Sequence, residues 1–419
     1  MKKNVKLLGM VAMFSVALAS CTNDELKEVY QGEEISFTTR MTRAVETNTT
    51  NLKAFRVYAH AETYGNMFIN GEMATRDENS TGNIFSITSH TGGSFFWPSS
   101  VEQIEFWAYG PFISTTSSDS VKVKAQITAK AQILEGFKAE PSMENGGKQH
   151  KDLIVAYNKA SRNDASGTTV TLNFQHALSQ IEVKAKCPDT EKKIRIKGAW
   201  LMNVKSSGDL KFKAEETNHM LWEPQSASAN YGCSFSSLPL TKDPTILIGH
   251  SDATSVDNTS LMLVPQKSDA WNEEKAPSGA YILLLCRVEA THQGTEHVGG
   301  STGDVVVNNT DGTHTHQLFP VTGEYKETQY GYTCVAIAPN WEPGKKYIYN
   351  LEFCGHNSGA GVYPPTDFTK ELGLPTEEDI ITSRPTGKDV GDPVLDNPIK
   401  FDVDVAEWGN GNLPDAPMN

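Results

Sequence analysis

The sequence lacks several features that mark common functional classes. It contains no Cys-x-x-Cys pair, so a structural zinc site of the usual ligand spacing is not expected. Beyond residue 19 no apolar stretch is long enough for a membrane-spanning helix, and helical periodicity is nearly absent. Acidic residues outnumber basic residues by 51 to 37, which argues against nucleic acid and anionic lipid as partners. With 33 Gly and 20 Pro, the composition favours a turn-rich β protein.

Signatures of catalysis are also missing. A hydrolase needs a nucleophile, a base and an orienting acid, or a carboxylate pair, and no local motif supplies either set. The segment GHSDA at residues 249–253 departs from the nucleophile-elbow pattern. His314 and His316 could share one face of a strand, near His292, but histidines in a polar loop are usually solvated. We therefore expect no enzymatic activity, no metal and no cofactor.

Cysteine is scarce, and its placement is informative. Of six cysteines, Cys21 follows the N-terminal apolar run, which leaves an odd number elsewhere, so at least one thiol stays free. How the others pair is left open. Cys286 in YILLLCRVE and Cys334 in GYTCVAIAP are predicted to lie buried within strands as small apolar residues.

The N-terminus has the layout of a bacterial lipoprotein signal. Three lysines precede an apolar run that is too short to span a bilayer core of about 30 Å. The order Leu18-Ala19-Ser20-Cys21 matches the lipobox, so Cys21 is expected to carry fatty acyl chains and to become the mature N-terminus. Residues 1–20 are then the signal peptide and residues 21–34 a polar tether at the outer membrane. The alternative is a plain secretory signal with an incidental cysteine.

Period-two patterns bounded by turn residues recur along the rest of the chain. In VEQIEFWAYGP, for example, Ile104 and Phe106 share one face. Such spacing predicts an all-β protein made of consecutive β-sandwiches. The polar break KCPDTEKKI at residues 186–194 is expected to separate an N-terminal domain, residues 35–190, from a C-terminal domain, residues 191–419.

Two polar regions interrupt the strand pattern. Residues 292–316 are predicted to form a long surface hairpin or loop, and residues 355–397 an excursion in which TDFTKELG could form one short helix. His176 lies at a strand end before a turn, and a hydrogen bond from its side chain to nearby backbone is favoured over catalysis.

Several segments together resemble the fimbrillin-like (Mfa-type) lipoproteins of Bacteroidales. They are FFWPSS, IEFWAYGP, DLIVA, LNFQHALSQIEV, LMLVPQ, PGKKYIYNLEF and PIKFDVDVAEW, which run in the family's order within residues 21–408. The resemblance implies two consecutive transthyretin-like β-sandwich domains. It also implies a structural or accessory subunit of a type V pilus, exposed on the cell surface and contributing to adhesion. Other fimbrillin subunits, the outer membrane and a host or bacterial surface ligand are the partners it suggests.

In this family an arginine-specific protease removes the N-terminal segment, and the emptied groove accepts a strand from the next subunit. The matching removable strand here is EEISFTT, residues 33–39. Family resemblance favours cleavage of the Arg43–Ala44 bond, with Arg40 as the second choice. These arginines could also be ordinary surface residues, and subunits that anchor or cap a fibre can keep the segment.

The candidate donor strand lies at the C-terminus. Its apolar residues alternate with Lys400, Asp402 and Asp404, so one face of the strand is apolar. These apolar residues are Ile399, Phe401, Val403 and Val405. An extended segment of this kind can add to a groove that lacks a strand. Alternatively it is the last strand of its own sandwich, and both can hold if the strand exchanges on assembly.

A surface lipoprotein that binds glycan without polymerising is the rival interpretation. It requires exposed aromatic side chains, and burial in a sandwich core explains the candidates more economically. The candidates are Phe95, Phe96, Trp97, Trp107, Trp222 and Trp341.

The acylation of Cys21 can be tested directly. We expect Cys21→Ser to abolish lipid attachment and to move the protein out of the membrane fraction, because two or three acyl chains are needed for stable anchoring. Ser20→Ala keeps a small residue beside the cysteine and serves as the control. The intact mass of the mature N-terminus reports the result, and an unacylated wild-type N-terminus would refute the assignment.

Overall fold

The computed structural model describes residues 34–41, 47–77, 83–87, 92–112, 121–140, 150–162, 169–214, 219–224, 226–249, 260–293, 305–365 and 379–408, with the side chains of 305–308 excepted. The predicted all-β class with consecutive sandwiches is confirmed, since every regular element in these ranges is a strand. None of the described residues forms a helix that could cross a lipid bilayer.

The described strands are numbered in chain order. They are β1 Ser36–Arg40, β2 Ala54–His60, β3 Ile69–Arg76, β4 Ile84–Ile87, β5 Gln103–Phe112, β6 Lys124–Ile127, β7 Gln132–Lys138, β8 Ile154–Ser161, β9 Thr169–Asn173, β10 Gln175–His176, β11 Ser179–Lys186, β12 Lys192–Lys205, β13 Ser207–Phe212, β14 Met220–Pro224, β15 Ser228–Pro239, β16 Thr245–Ile248, β17 Leu261–Leu263, β18 Tyr281–Gln293, β19 Val305–Asn308, β20 Thr313–Phe319, β21 Tyr330–Ala336, β22 Lys345–Glu352, β23 Ile380–Ile381 and β24 Lys400–Glu407.

The first sheet wraps around its own core. Its order is β10-β8-β5-β2-β3-β4-β1-β9, and the side-chain amide of Asn158 in β8 donates to the carbonyl of Thr171 in β9 at 2.8 Å, so the two ends of the sheet meet. Phe37 from β1 lies at the centre of the enclosed core. Its ring packs edge-on against Phe55 and Phe106, with centroids 6.0 and 5.7 Å apart. The first strand therefore helps to close the core that the other strands form.

The second half of the chain forms two further sheets. One has the order β16-β11-β22-β24 with β17 beside β11, and the other has the order β15-β12-β18-β20-β19 with β21 and β23 attached through β18. Both faces of β12 and β18 are buried, so their side chains divide by alternation between two cores. Leu201 and Leu284 belong to the large core, whereas Trp200 and Leu283 lie in a smaller one.

The polar region at residues 355–397 covers the smaller core where it is described. Val362 forms antiparallel bridges with Cys334 and Pro393, and Val390 packs against the cluster that contains Trp271 and Tyr281. The predicted excursion is therefore a cover for the sheet. Its predicted short helix, TDFTKELG, lies outside the described residues.

A four-stranded sheet joins the two halves of the molecule. Its order is β14-β13-β7-β6, so one hairpin comes from before β11 and the other from after it. Leu134 and Leu210 from this sheet belong to the same buried cluster as Trp107 and Tyr109, which lie on the outer face of the first sheet. The two sandwiches thus share buried apolar surface.

Sheet membership changes between β10 and β11, ahead of the predicted boundary at residues 190 and 191. The predicted hairpin at residues 292–316 is present in its described part, where β18 pairs with β20. Cys286 and Cys334 are fully buried in strands as predicted, and the five described cysteines are free thiols.

Phe37 offers a test of how much β1 contributes to the first core. Phe37→Ala in the uncleaved protein is expected to lower the free energy of unfolding by about 3–5 kcal/mol, because a buried ring is lost and a cavity remains. Thr38→Ala changes the opposite face of the same strand and should cost about 1 kcal/mol. Urea unfolding measures both, and equal small losses would contradict the role of Phe37.

Candidate functional site: an inner strand and an exposed edge strand

Of the residues predicted at the cleavage and lipid sites, Arg40 alone is described, since Cys21, Arg43 and Ala44 lie outside the described residues. Arg40 is the last residue of β1 and is exposed. Its carbonyl accepts a hydrogen bond from the backbone amide of Phe174 at 2.8 Å. The Arg40 backbone is therefore held in the sheet.

β1 is an inner strand with partners on both sides. It pairs in parallel with β9 over five residues and antiparallel with β4 over three. Ile35 and Phe37 are 1% and 0% exposed, whereas Ser36 on the other face bonds the hydroxyl of Thr169 at 2.8 Å. Loss of β1 would leave backbone donors and acceptors unpaired on two strands and would open the pockets of two apolar side chains.

The C-terminal strand has the opposite character. β24 lies at the described edge of its sheet and pairs antiparallel with β22 over eight residues. Ile399, just before the strand, is 5% exposed, but Phe401 and Val403 are each 37% exposed and Val405 is 54% exposed. The predicted apolar face therefore exists, and within the described residues most of it faces solvent.

The two strands carry the same side-chain pattern. Ile35-Ser36-Phe37-Thr38-Thr39 and Ile399-Lys400-Phe401-Asp402-Val403 both read Ile-x-Phe-x-β-branched. In β1 the first, third and fifth of these residues are buried. The match can be seen in the sequence. Its significance comes from the structure, in which β1 is enclosed and β24 is exposed.

Both ends of β24 are held in the protein. Trp408, which follows the strand, is 2% exposed, and its indole stacks on the imidazole of His176 with centroids 4.4 Å apart and planes 15° apart. The Nδ1 of His176 donates to the Asp152 carboxylate at 3.0 Å. The prediction that the His176 side chain bonds nearby backbone is wrong for Nδ1. Folding places the carboxylate of Asp152, which is distant in the sequence, beside this nitrogen.

The histidines considered as metal ligands lie in paired strands. His292 and His316 approach to 2.8 Å between their Nε2 atoms, and the ring of His314 lies 5.9 Å from that of His292. Among the described residues no group of three or more potential ligands has the geometry to hold a metal ion.

The aromatic residues considered for glycan binding are largely buried. Trp97, Trp107 and Trp341 are 2%, 5% and 4% exposed, and the indole of Trp222 donates to the carbonyl of Ala177 at 2.6 Å. Phe95 is half-buried against the first core, and Phe96 is 37% exposed. Their placement favours a role in the core.

Comparison with solved structures gives weak likenesses. A candidate cell adhesion protein from Parabacteroides distasonis is 11% identical, with a TM-score of 0.41 and coverage of 91% of this chain and 99% of the other. One from Bacteroides eggerthii is 12% identical, with a TM-score of 0.40 and coverage of 90% and 97%. Scores of this size support no conclusion about this chain.

Comparison of sequences is more informative. The fimbrium subunit Fim1C of Phocaeicola vulgatus is 30% identical over 217 residues, which are 46% of this chain and 55% of the relative. The match thus spans about half the length of that curated relative. A family model described as fimbrillin-like matches residues 42–362, most of the chain. On that match, the protein belongs to the fimbrillin-like family.

Proposed function

We propose that this protein is a subunit of a surface fimbrium that joins its neighbours by strand exchange. In this proposal β1 leaves the first sheet after proteolysis, and the β24 strand of the next subunit takes its place. The observation that carries the proposal is the shared Ile-x-Phe-x-β-branched pattern, buried in β1 and exposed in β24. The relative named as a fimbrium subunit supports the same role.

The pattern sets a register for the incoming strand. Phe401 enters the pocket of Phe37, Ile399 that of Ile35, and Val403 the position of Thr39. Outward-facing Lys400 then lies where Ser36 lies in the monomer, beside Thr169 of the β9 strand. Backbone pairing supplies affinity and the apolar pockets supply specificity, as in other cases of β-strand addition.

Backbone pairing and apolar burial in the β1 groove favour the exchange. β24 gives up a ladder with one strand in its own subunit and gains neighbours on both sides in the groove. Phe401 and Val403 pass from 37% exposure to the buried positions of Phe37 and Thr39, which contributes a fraction of the about 1.5–3 kcal/mol that complete burial of such a side chain is worth. The groove thus buries Phe401 and Val403 more completely than their own subunit does.

Among the two arginines, we assign the primary cleavage to the Arg43–Ala44 bond. A protease binds its substrate as an extended strand, and the Arg40 backbone is already paired with Phe174. Arg43 follows three residues after the end of β1. Cleavage there frees the whole segment that contains residues 33–39. A subunit that keeps this segment accepts no neighbour at this groove and therefore ends the fibre.

Anchoring precedes assembly in this proposal. Acylated Cys21 holds the subunit at the outer membrane by its tether until cleavage after Arg43 separates the lipid from the folded domains. The same cut therefore releases the subunit and opens its groove. Enzymatic turnover has no part in this function.

The assignment of Arg43 is tested with an arginine-specific protease. Treated wild-type protein is expected to start at Ala44 and to form SDS-resistant ladders, whereas Arg43→Lys keeps the charge but removes the cleavable residue and should form none. Arg40→Lys is the matched control and should assemble like the wild type. N-terminal sequencing and gel electrophoresis give the readout. Complete cleavage at Ala44 without ladders under assembly conditions would contradict strand exchange.

A further inference from the structure

The burial of the β24 segment is concentrated at its two ends. Ile399 and Trp408 are 5% and 2% exposed, whereas the strand between them is almost entirely exposed. Ladder hydrogen bonds to β22 can be replaced by equivalent bonds in a groove. The buried contacts at the ends therefore decide how firmly the strand stays in its own subunit.

The socket of Trp408 is built from parts of the chain far from β24. Its indole lies flat on His176, whose own orientation is fixed by the hydrogen bond to the buried Asp152 carboxylate. The backbone amide of Trp408 donates to the carbonyl of Gly344 at 2.8 Å. His176 belongs to the first sheet and Gly344 precedes β22, so the tryptophan ties the C-terminal strand to both halves of the molecule.

Donation of β24 takes Trp408 out of this socket. In the register that places Phe401 on Phe37, Trp408 falls beyond Arg40, the last residue of β1, and so past the strand that the donor replaces. The tryptophan contact is thus specific to the monomer, unlike the apolar contacts of Phe401 and Val403. Stacking and burial of a large aromatic ring in this socket favour the closed form.

We infer that Trp408 and the His176–Asp152 pair form a latch that holds β24 on its own subunit, and that release of Trp408 from this socket frees the strand for donation. This inference rests on the proposed strand exchange. The control of donation then lies at the C-terminal end of β24, where Trp408 follows the donor residues. Release of Trp408 is linked to the first sheet. His176, which forms one side of the socket, belongs to that sheet, and the groove of the same sheet receives the neighbour's strand.

Hydrogen–deuterium exchange on the uncleaved monomer tests the latch without requiring assembly. In Trp408→Leu the amides of residues 400–407 should exchange about tenfold faster or more than in the wild type, because local opening no longer breaks the stack. Leucine keeps an apolar side chain at this site, so the fold should be retained, and unchanged exchange of the β2 amides verifies this. Ala406→Ser, on the same strand but outside the donor residues, is the control and should leave the exchange rates near those of the wild type.

The outcomes separate the latch from strand exchange itself. Unchanged exchange at residues 400–407 in a folded Trp408→Leu protein would overturn the latch, whether or not ladders form. Faster exchange in this variant supports it, and protease-treated Trp408→Leu should then form ladders sooner than the wild type. Faster exchange with no ladders from either protein would contradict the proposed function but would leave the anchoring role of Trp408 in place.

Discussion

The packing of Phe37 against Phe55 and Phe106 is the interaction on which the rest of the structure depends. It holds β1 between β4 and β9, and so closes the first sheet around one core. In the proposed exchange another strand replaces β1, because the specificity of this contact resides in two buried side chains and a backbone ladder. Under the proposed function, the pockets that stabilise the monomer are also those that accept the neighbouring strand.

An exposed apolar edge strand is a risk for a monomer, because its unpaired backbone can template non-specific association. In β24 the risk is limited by charged residues that alternate with the apolar ones. Asp404 accepts a hydrogen bond from the Asn350 amide at 2.8 Å, and Glu407 pairs with Lys345 across the ladder. The net charge of −14 adds long-range repulsion between copies. Under the proposed function, selective pairing of β24 with a matching groove depends on the apolar pattern.

Sequence periodicity predicted the features that follow from local alternation of apolar and polar residues. Ile104 and Phe106 share a core face, and Cys286 and Cys334 lie in buried strands, because a period of two follows directly from strand geometry. It could not predict which strands become neighbours. The parallel pairing of β1 with β9 and the sheet shared by β7 and β13 join distant segments whose own patterns are ordinary. For the same reason the socket of His176, Asp152 and Trp408 had no local signal, and the exposure of Val405 could not be read from its alternation.

The central claim is that β24 occupies the β1 groove of a neighbouring subunit in one register. In the monomer Ser36 faces Thr169 and Thr38 faces Thr171 through paired hydroxyls, so Lys400 and Asp402 should take these places after exchange. The most direct test mixes two protease-treated proteins, one carrying Lys400→Cys and the other Thr169→Cys, under mild oxidation. The account predicts a reducible dimer linked between these two residues, with far less linkage when Asp402→Cys replaces Lys400→Cys. Equal linkage for both, or equal linkage before cleavage, would contradict it.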